Sequence, residues 1–167
     1  MIKIIILMFS VNAFAGYEIE AKASTLNYKL GELYSFPVNL YQVGASYSDY
    51  FTYSVLAGQS STQYNHSNGP RISARVRNFW VGSVKKSLSI SNNLSVFIGV
   101  NYTEYKEDIG GYSNSDTDAG YSYGAILRVS RGYAIRLEQT QYYRKSNEHL
   151  GIENTKGLGV SIVWIVN

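Results

Sequence analysis

The chain has no cysteine, so any fold it adopts carries no disulfide. It has only two prolines among 167 residues. Beyond the N-terminus no segment approaches the roughly 18 apolar residues of a membrane helix, so an exported chain has no helical means of staying in a bilayer. A strong charge of either sign is also missing. The formal net charge is +3, and without the Lys3 region the balance is 14 Lys plus Arg against 12 Asp plus Glu, or +2. That is too weak to argue for a nucleic-acid partner. What is abundant is tyrosine, at 16 residues, with 15 glycines. Tyrosine and glycine with few helix-favouring runs point to an all-β protein with aromatic belts.

The N-terminus reads as an export signal over residues 1–15. Lys3 supplies the positive region, Ile4 to Phe9 a short apolar core, and Ala13-Phe14-Ala15 a small-x-small cleavage site before Gly16. A membrane anchor is the competing reading, but the apolar core is too short to span a bilayer. Residues 16–167 suit one domain.

The stretch from Asp118 to Tyr143 sets the fold class. Tyr121, Tyr123, Ala125, Leu127 and Val129 alternate with Ser122, Gly124, Ile126, Arg128 and Ser130. After a turn at Ser130-Arg131-Gly132, Tyr133, Ile135 and Leu137 alternate with Ala134, Arg136 and Glu138. Period two marks strands with two different faces. A soluble sandwich would bury the apolar face and leave the charges in water. A transmembrane barrel turns the apolar face to lipid and encloses the charges.

The rest of the chain decides between them. Tyr17–Tyr28 alternates as a first strand, followed by a loop over Lys29–Pro37, where a proline that cannot donate to a ladder belongs outside one. Further strands are expected near Asn39–Ser48, from Phe51, over about Arg75–Ile90, from Leu94 to Thr103, and over Lys156–Val166. The strand over Arg75–Ile90 is irregular, because Lys86 shares parity with Trp80, Val84 and Leu88. A bulge near Lys85-Lys86 or a position at the rim would explain it. Polar loops are expected over Gln63–Ser73, Lys106–Thr117 and Lys145–Thr155. Eight strands, with short and long connections alternating, give an eight-stranded antiparallel transmembrane β-barrel of outer-membrane type.

Asp118-Ala-Gly-Tyr-Ser-Tyr-Gly-Ala-Ile-Leu127 resembles a strand of the OmpX/Ail/Lom-like barrels of Gram-negative outer membranes. Ile90-Ser-Asn-Asn-Leu-Ser-Val-Phe-Ile-Gly-Val100 is similar to that family's central turn and following strand. The resemblance covers much of the second half of the chain. It implies a location in the cell outer membrane, no enzymatic activity and no cofactor. It also implies surface roles such as adhesion, host-surface interaction or envelope maintenance. The partners would be outer-membrane lipid and lipopolysaccharide, the barrel-assembly machinery, and a host-surface or extracellular protein, around a monomeric barrel. Gly157, Gly159, Val160, Ile162 and Trp164 are similar to the C-terminal assembly signal of such barrels, although Ile165-Val166-Asn167 extend past Trp164.

Among candidate site residues, Glu20, Lys22, Arg128, Arg136 and Glu138 take the inward parity and are expected to form an ion-pair network filling the lumen. The competing reading is a conducting pore, which the width of eight strands disfavours. Arg71, Arg75 and Arg77 lie near the outer rim, where they could meet lipopolysaccharide phosphates. Parity could equally send some of them inward. His66-Ser67 resembles part of a hydrolytic pair, but it sits in a loop and the other histidine, His149, lies in another. Two alternatives stay open: a lipid A-modifying enzyme, and a soluble exported lipocalin-like barrel whose apolar parity faces inward.

Overall fold

A computed structural model describes residues 16–30, 34–65, 71–109, 111–143 and 154–166. The expected export signal, His66-Ser67 and His149 lie outside them. Eight strands close an antiparallel barrel in sequence order, β1 pairing with β8. They are β1 (Gly16–Leu30), β2 (Tyr34–Ser48), β3 (Thr52–Asn65), β4 (Arg71–Ser89), β5 (Leu94–Ile109), β6 (Tyr112–Arg128), β7 (Tyr133–Tyr143) and β8 (Asn154–Val166). Three tight connections, at residues 49–51, 90–93 and 129–132, share one end of the barrel with the start of β1 and the end of β8. We call this the turn end, and the opposite one the loop end. Closure leaves the strands no free edge through the barrel wall, the condition for a sheet in lipid.

The middle of the barrel is apolar outside and polar inside. On β5 the outward Val96, Ile98, Val100 and Tyr102 are exposed, while Ser95, Phe97, Asn101 and Thr103 are buried. The outward band continues through Ile19, Val43, Val55, Leu137, Val160 and Ile162. This arrangement excludes the soluble lipocalin-like alternative, which needs the apolar parity inside. Aromatic rings gather at the turn end, where Tyr17 meets Tyr47 and Tyr133 meets Trp164 edge-on.

Toward the loop end the burial preference inverts. Leu26, Val38, Leu40, Leu56, Val76, Phe79, Val81, Tyr105, Ile109 and Tyr142 form an apolar cluster inside the barrel. The outward positions there are polar, among them Arg75, Arg77, Glu104 and Lys106, all exposed. The strands keep their alternation there, but the inner side carries these apolar residues beside the buried Glu107.

Several expectations are corrected here. The polar stretch Lys106–Thr117 is mostly strand: β5 runs to Ile109, and β6 starts at Tyr112 after Gly111, which turns at φ 91°. β2 likewise starts at Tyr34 and contains Pro37. Among the described residues, β2 has no register partner on β3 before Tyr41. It is an edge strand there, the setting in which a sheet tolerates proline. β3 extends to Asn65, β4 starts at Arg71 and β8 starts at Asn154, each reaching into a stretch expected to be loop.

The irregularity of β4 is a bulge, placed eight residues earlier than Lys86. The ladder to β5 slips between Arg77 and Trp80 and the ladder to β3 between Val76 and Phe79, and the surplus residue Asn78 has φ 50°. One extra residue reverses parity. Arg75 and Arg77 therefore share the outward side with Trp80, while Val76 and Phe79 point in. Lys86 needs no bulge. It is an outward residue at the turn-end rim, donating to the Tyr50 carbonyl at 2.9 Å with its ammonium 3.3 Å from the centre of the Tyr50 ring.

Candidate functional site

Two regions carry the polar chemistry of the barrel: its interior near the turn end, and the outer face of β4–β6 near the loop end. In the first, Glu20, Lys22, Arg136 and Glu138 are all buried, Glu20 completely. Arg136 bonds Glu20 through one guanidinium nitrogen and reaches Glu18 at 3.3 Å through the other. The second Glu20 oxygen accepts from Ser161 at 2.6 Å, and Glu18 accepts from Ser46 at 2.8 Å and Ser48 at 3.3 Å. Glu138 takes Lys22 at 2.9 Å and Lys85 at 3.1 Å on the same oxygen. The six groups thus comprise three carboxylates facing three cations, each enclosed by partners as buried charges require. The Phe97 ring lies beside them, 5.2 Å from Lys85 Nζ and 5.9 Å from the Arg136 guanidinium carbon.

Arg128 does not join this buried set. It is the last residue of β6, only half-buried, and interacts electrostatically with Glu18. Sequence reasoning places it inward, and its interaction with Glu18 ties it to the edge of that set at the barrel mouth. The same reasoning missed Lys85, whose strand looked irregular. Lys85 nevertheless shares the parity of Val81 and Ser83, both buried, and that signal was available.

Glycines make room for the charges. A Cβ on Gly159 would lie 2.6 Å from Lys22 Cε, and one on Gly99 would lie 2.6 Å from Lys85 Cγ. A Cβ on Gly157 would meet Leu26 at 2.7 Å. Gly157 and Gly159 therefore have a packing reason to be glycine beside any part in assembly. Val160, Ile162 and Trp164 face outward from β8. Ile165 and Val166, which follow Trp164, are part of the barrel wall: they pair with Glu18 and Tyr17, and Ile165 N–H donates to the Gly132 carbonyl at 2.9 Å.

On the outer face near the loop end, Arg77 pairs with Asp108 at 2.7 Å, and Arg75 is exposed on the same side. Arg71 opens β4; its side chain lies outside the described residues. A cleft of about 510 Å³ lies beside this face, lined by Asn78, Trp80, Glu104, Lys106, Ser115 and Thr117 among others. Among the described residues no cluster of three or more His, Cys, Asp or Glu could hold a metal ion.

Neither a protein-family model nor a curated protein sequence matches the chain. Solved structures do. Neisserial surface protein A matches with TM-score 0.72 at 13% identity, over 91% of this chain and 98% of that one. The attachment invasion locus protein Ail of Yersinia pestis, in complex with the heparin analogue sucrose octasulfate, matches with TM-score 0.60 at 11% identity, over 90% and 99%. The N-terminal barrel domain of Pseudomonas aeruginosa OprF matches with TM-score 0.54 at 13% identity, over 87% and 96%. The closed eight-strand ladder, the outward apolar band and these likenesses agree: the chain has the fold of the small OmpA-like and Ail/OmpX-type outer-membrane barrels.

Proposed function

We propose that the protein is a non-enzymatic integral outer-membrane protein whose loop end faces outward and carries its function. That function is adhesion, host-surface interaction or envelope maintenance. The observation that supports this best is the inversion of burial along the strands. The middle of the barrel is built for lipid, whereas β4 and β5 continue beyond it with polar outer faces and with Val76, Phe79, Tyr105 and Ile109 buried inside. Such extensions stabilise a projecting sheet that a simple membrane plug would not need. Short turns on the periplasmic side and longer projections outside are the usual orientation of these barrels.

Partners would be engaged in two ways. At the loop end β2 residues 34–40 and β3 residues 60–65 lack register partners on each other. An extended segment of an extracellular protein could add to such an edge by main-chain hydrogen bonds. Arg75 and Arg77, with Arg71 at the start of the same strand, would meet lipopolysaccharide phosphates from the surrounding leaflet. The Yersinia pestis attachment protein supports a surface role by likeness of fold alone. We assign no catalytic residue, since Glu18, Glu20 and Glu138 are engaged in ion pairs inside the barrel. The barrel-assembly machinery would insert the chain through β8, and the protein would be a monomer.

The test is electrophoresis of the outer-membrane fraction, unheated and boiled side by side, with protease treatment of intact cells. The expected result is a band whose mobility shifts only on boiling and whose loops are cut from outside. Recovery in the soluble periplasm would overturn the reading. Altered lipid A in a deletion strain would favour the lipid-modifying alternative.

A further inference from the structure

The strand glycines of the barrel wall divide by what a side chain would meet. At Gly44, Gly58, Gly99, Gly124 and Gly159 an added Cβ would lie 2.6 Å or less from a neighbour. At Gly82, inside β4, the nearest neighbour would be a backbone oxygen 4.0 Å away. Packing within the barrel therefore gives no reason for its missing side chain. Gly82 has the outward parity of Trp80 and Val84, and with Ala45 of β2 it floors a groove of about 610 Å³ on the outer face. Val55, Val84 and Val100 wall it, and none of its lining residues is charged.

We propose that this groove holds one acyl chain of a phosphatidylethanolamine from the leaflet at the turn end, with Lys86 on its phosphate. The groove has an interfacial end and a deep end. Tyr17, Tyr47 and Tyr53 each lie one residue inside the turn-end limit of their strand, whereas Tyr102 is halfway along β5. Barrel strands are tilted by about 35–45°, so a row that crosses them climbs from the rim toward the middle of the wall. From β1 to β5 that row crosses four inter-strand spacings of about 4.8 Å, about 19 Å in all. One leaflet of hydrocarbon is about 15 Å thick, so a single chain can follow the oblique path.

The mouth of the groove selects the headgroup. Lys86 follows Val84 on the same side of β4, and the Tyr50 carbonyl takes one of its three ammonium donors at 2.9 Å. The Tyr50 and Phe51 rings, 3.3 and 5.3 Å from that nitrogen, hold it at the rim. Its other donors can serve a phosphate oxygen. Phe51 in turn meets Tyr53 at the groove, ring centres 6.4 Å apart. Tyrosines at this level offer an apolar body to the chain and a hydroxyl to the glycerol esters. Asp49, exposed in the same turn as Tyr50, offsets the charge of Lys86. A zwitterionic headgroup therefore suits this mouth better than an anionic one.

The site lies at the rim opposite the loop end and goes beyond the function proposed above. The test is native mass spectrometry of the protein purified in dodecyl maltoside, with lipid added back. Palmitoyl-oleoyl phosphatidylethanolamine is expected to add one copy that survives removal of the detergent. The diacylglycerol with the same chains should bind about tenfold more weakly, and phosphatidylglycerol no more tightly. Gly82→Val, which fills the floor, should weaken phosphatidylethanolamine binding about tenfold. Ala125→Leu, on β6 outside the groove, should leave it unchanged. Lys86→Gln should weaken binding of phosphatidylethanolamine but not of the diacylglycerol. Heat-dependent mobility first shows that each variant is folded, and if Gly82→Val is not, Ala45→Leu fills the same floor from β2. No retained lipid, equal retention of the diacylglycerol, tighter phosphatidylglycerol, or equal loss in Gly82→Val and Ala125→Leu overturns the proposal. So does a lipid-free dimer that Gly82→Val dissociates, which would make a second copy the occupant.

Discussion

At the scale of single residues, the interior of the barrel is held by few and costly groups. Glu138 is the only carboxylate within bonding distance of Lys22 and Lys85 in the described structure. Glu138→Gln would leave two buried ammonium groups facing an amide. Removing one side of a buried pair typically costs about 3–5 kcal/mol, because the remaining charge loses its compensation. We expect a loss of that order in reversible urea unfolding from lipid vesicles, with much of it recovered when Lys22 and Lys85 are also made Met. Gly159 offers a second test. A side chain there meets Lys22 Cε, so Gly159→Val should cost about 1–3 kcal/mol through overpacking. Gly132 has open space around it, and Gly132→Ala should have little steric effect.

At the scale of elements, β5 shows how the surroundings decide what a substitution costs. Ile98 is 64% exposed in the middle of the apolar band. Ile98→Lys should cost about 2–4 kcal/mol if that residue meets lipid near the midplane. Tyr112→Lys, at the loop-end start of β6, should stay within about half a kcal/mol as an ordinary surface change. Equal costs at the two positions in the same unfolding assay would contradict a lipid-facing band. Asn78 tests the bulge of β4. Its φ of 50° is tolerated by asparagine and glycine, so Asn78→Gly should be nearly neutral. A β-branched Asn78→Val should cost roughly 1–2 kcal/mol. The same comparison explains what was legible in the sequence. Strand segments between lipid and a polar lumen alternate cleanly, so β5 from Leu94 and the β6–β7 hairpin could be read from parity, along with Glu20, Lys22, Arg136 and Glu138. Beyond the lipid both faces mix polar and apolar residues, which is why Lys106–Thr117 resembled a loop although Tyr105 and Ile109 are buried on its inner side. Lys85 was obscured by its neighbour Lys86, which puts a charge on the outward parity at the turn-end rim and makes the strand look irregular.

At the scale of the whole molecule, the two interior layers act as successive seals. The ion-pair layer near the turn end fills the lumen with charged groups held to one another. The apolar cluster of Leu40, Leu56, Phe79, Tyr105 and Tyr142 closes the lumen again toward the loop end. An apolar constriction resists conduction by excluding water, whatever the charge state of the layer below it. The protein in planar bilayers should therefore show no steady ionic current. Glu138→Gln should show none either, although it loosens the lower layer. Current should require the upper layer to be opened as well, as in Glu138→Gln combined with Leu56→Ala and Phe79→Ala, provided the heat-dependent mobility shift confirms that this variant is folded. Steady current through Glu138→Gln alone would mean that the ion pairs are the whole seal and that the apolar layer admits water. Silence of the folded triple variant would place the barrier in the remaining side chains, and the barrel would then be a packed core rather than a sealed channel.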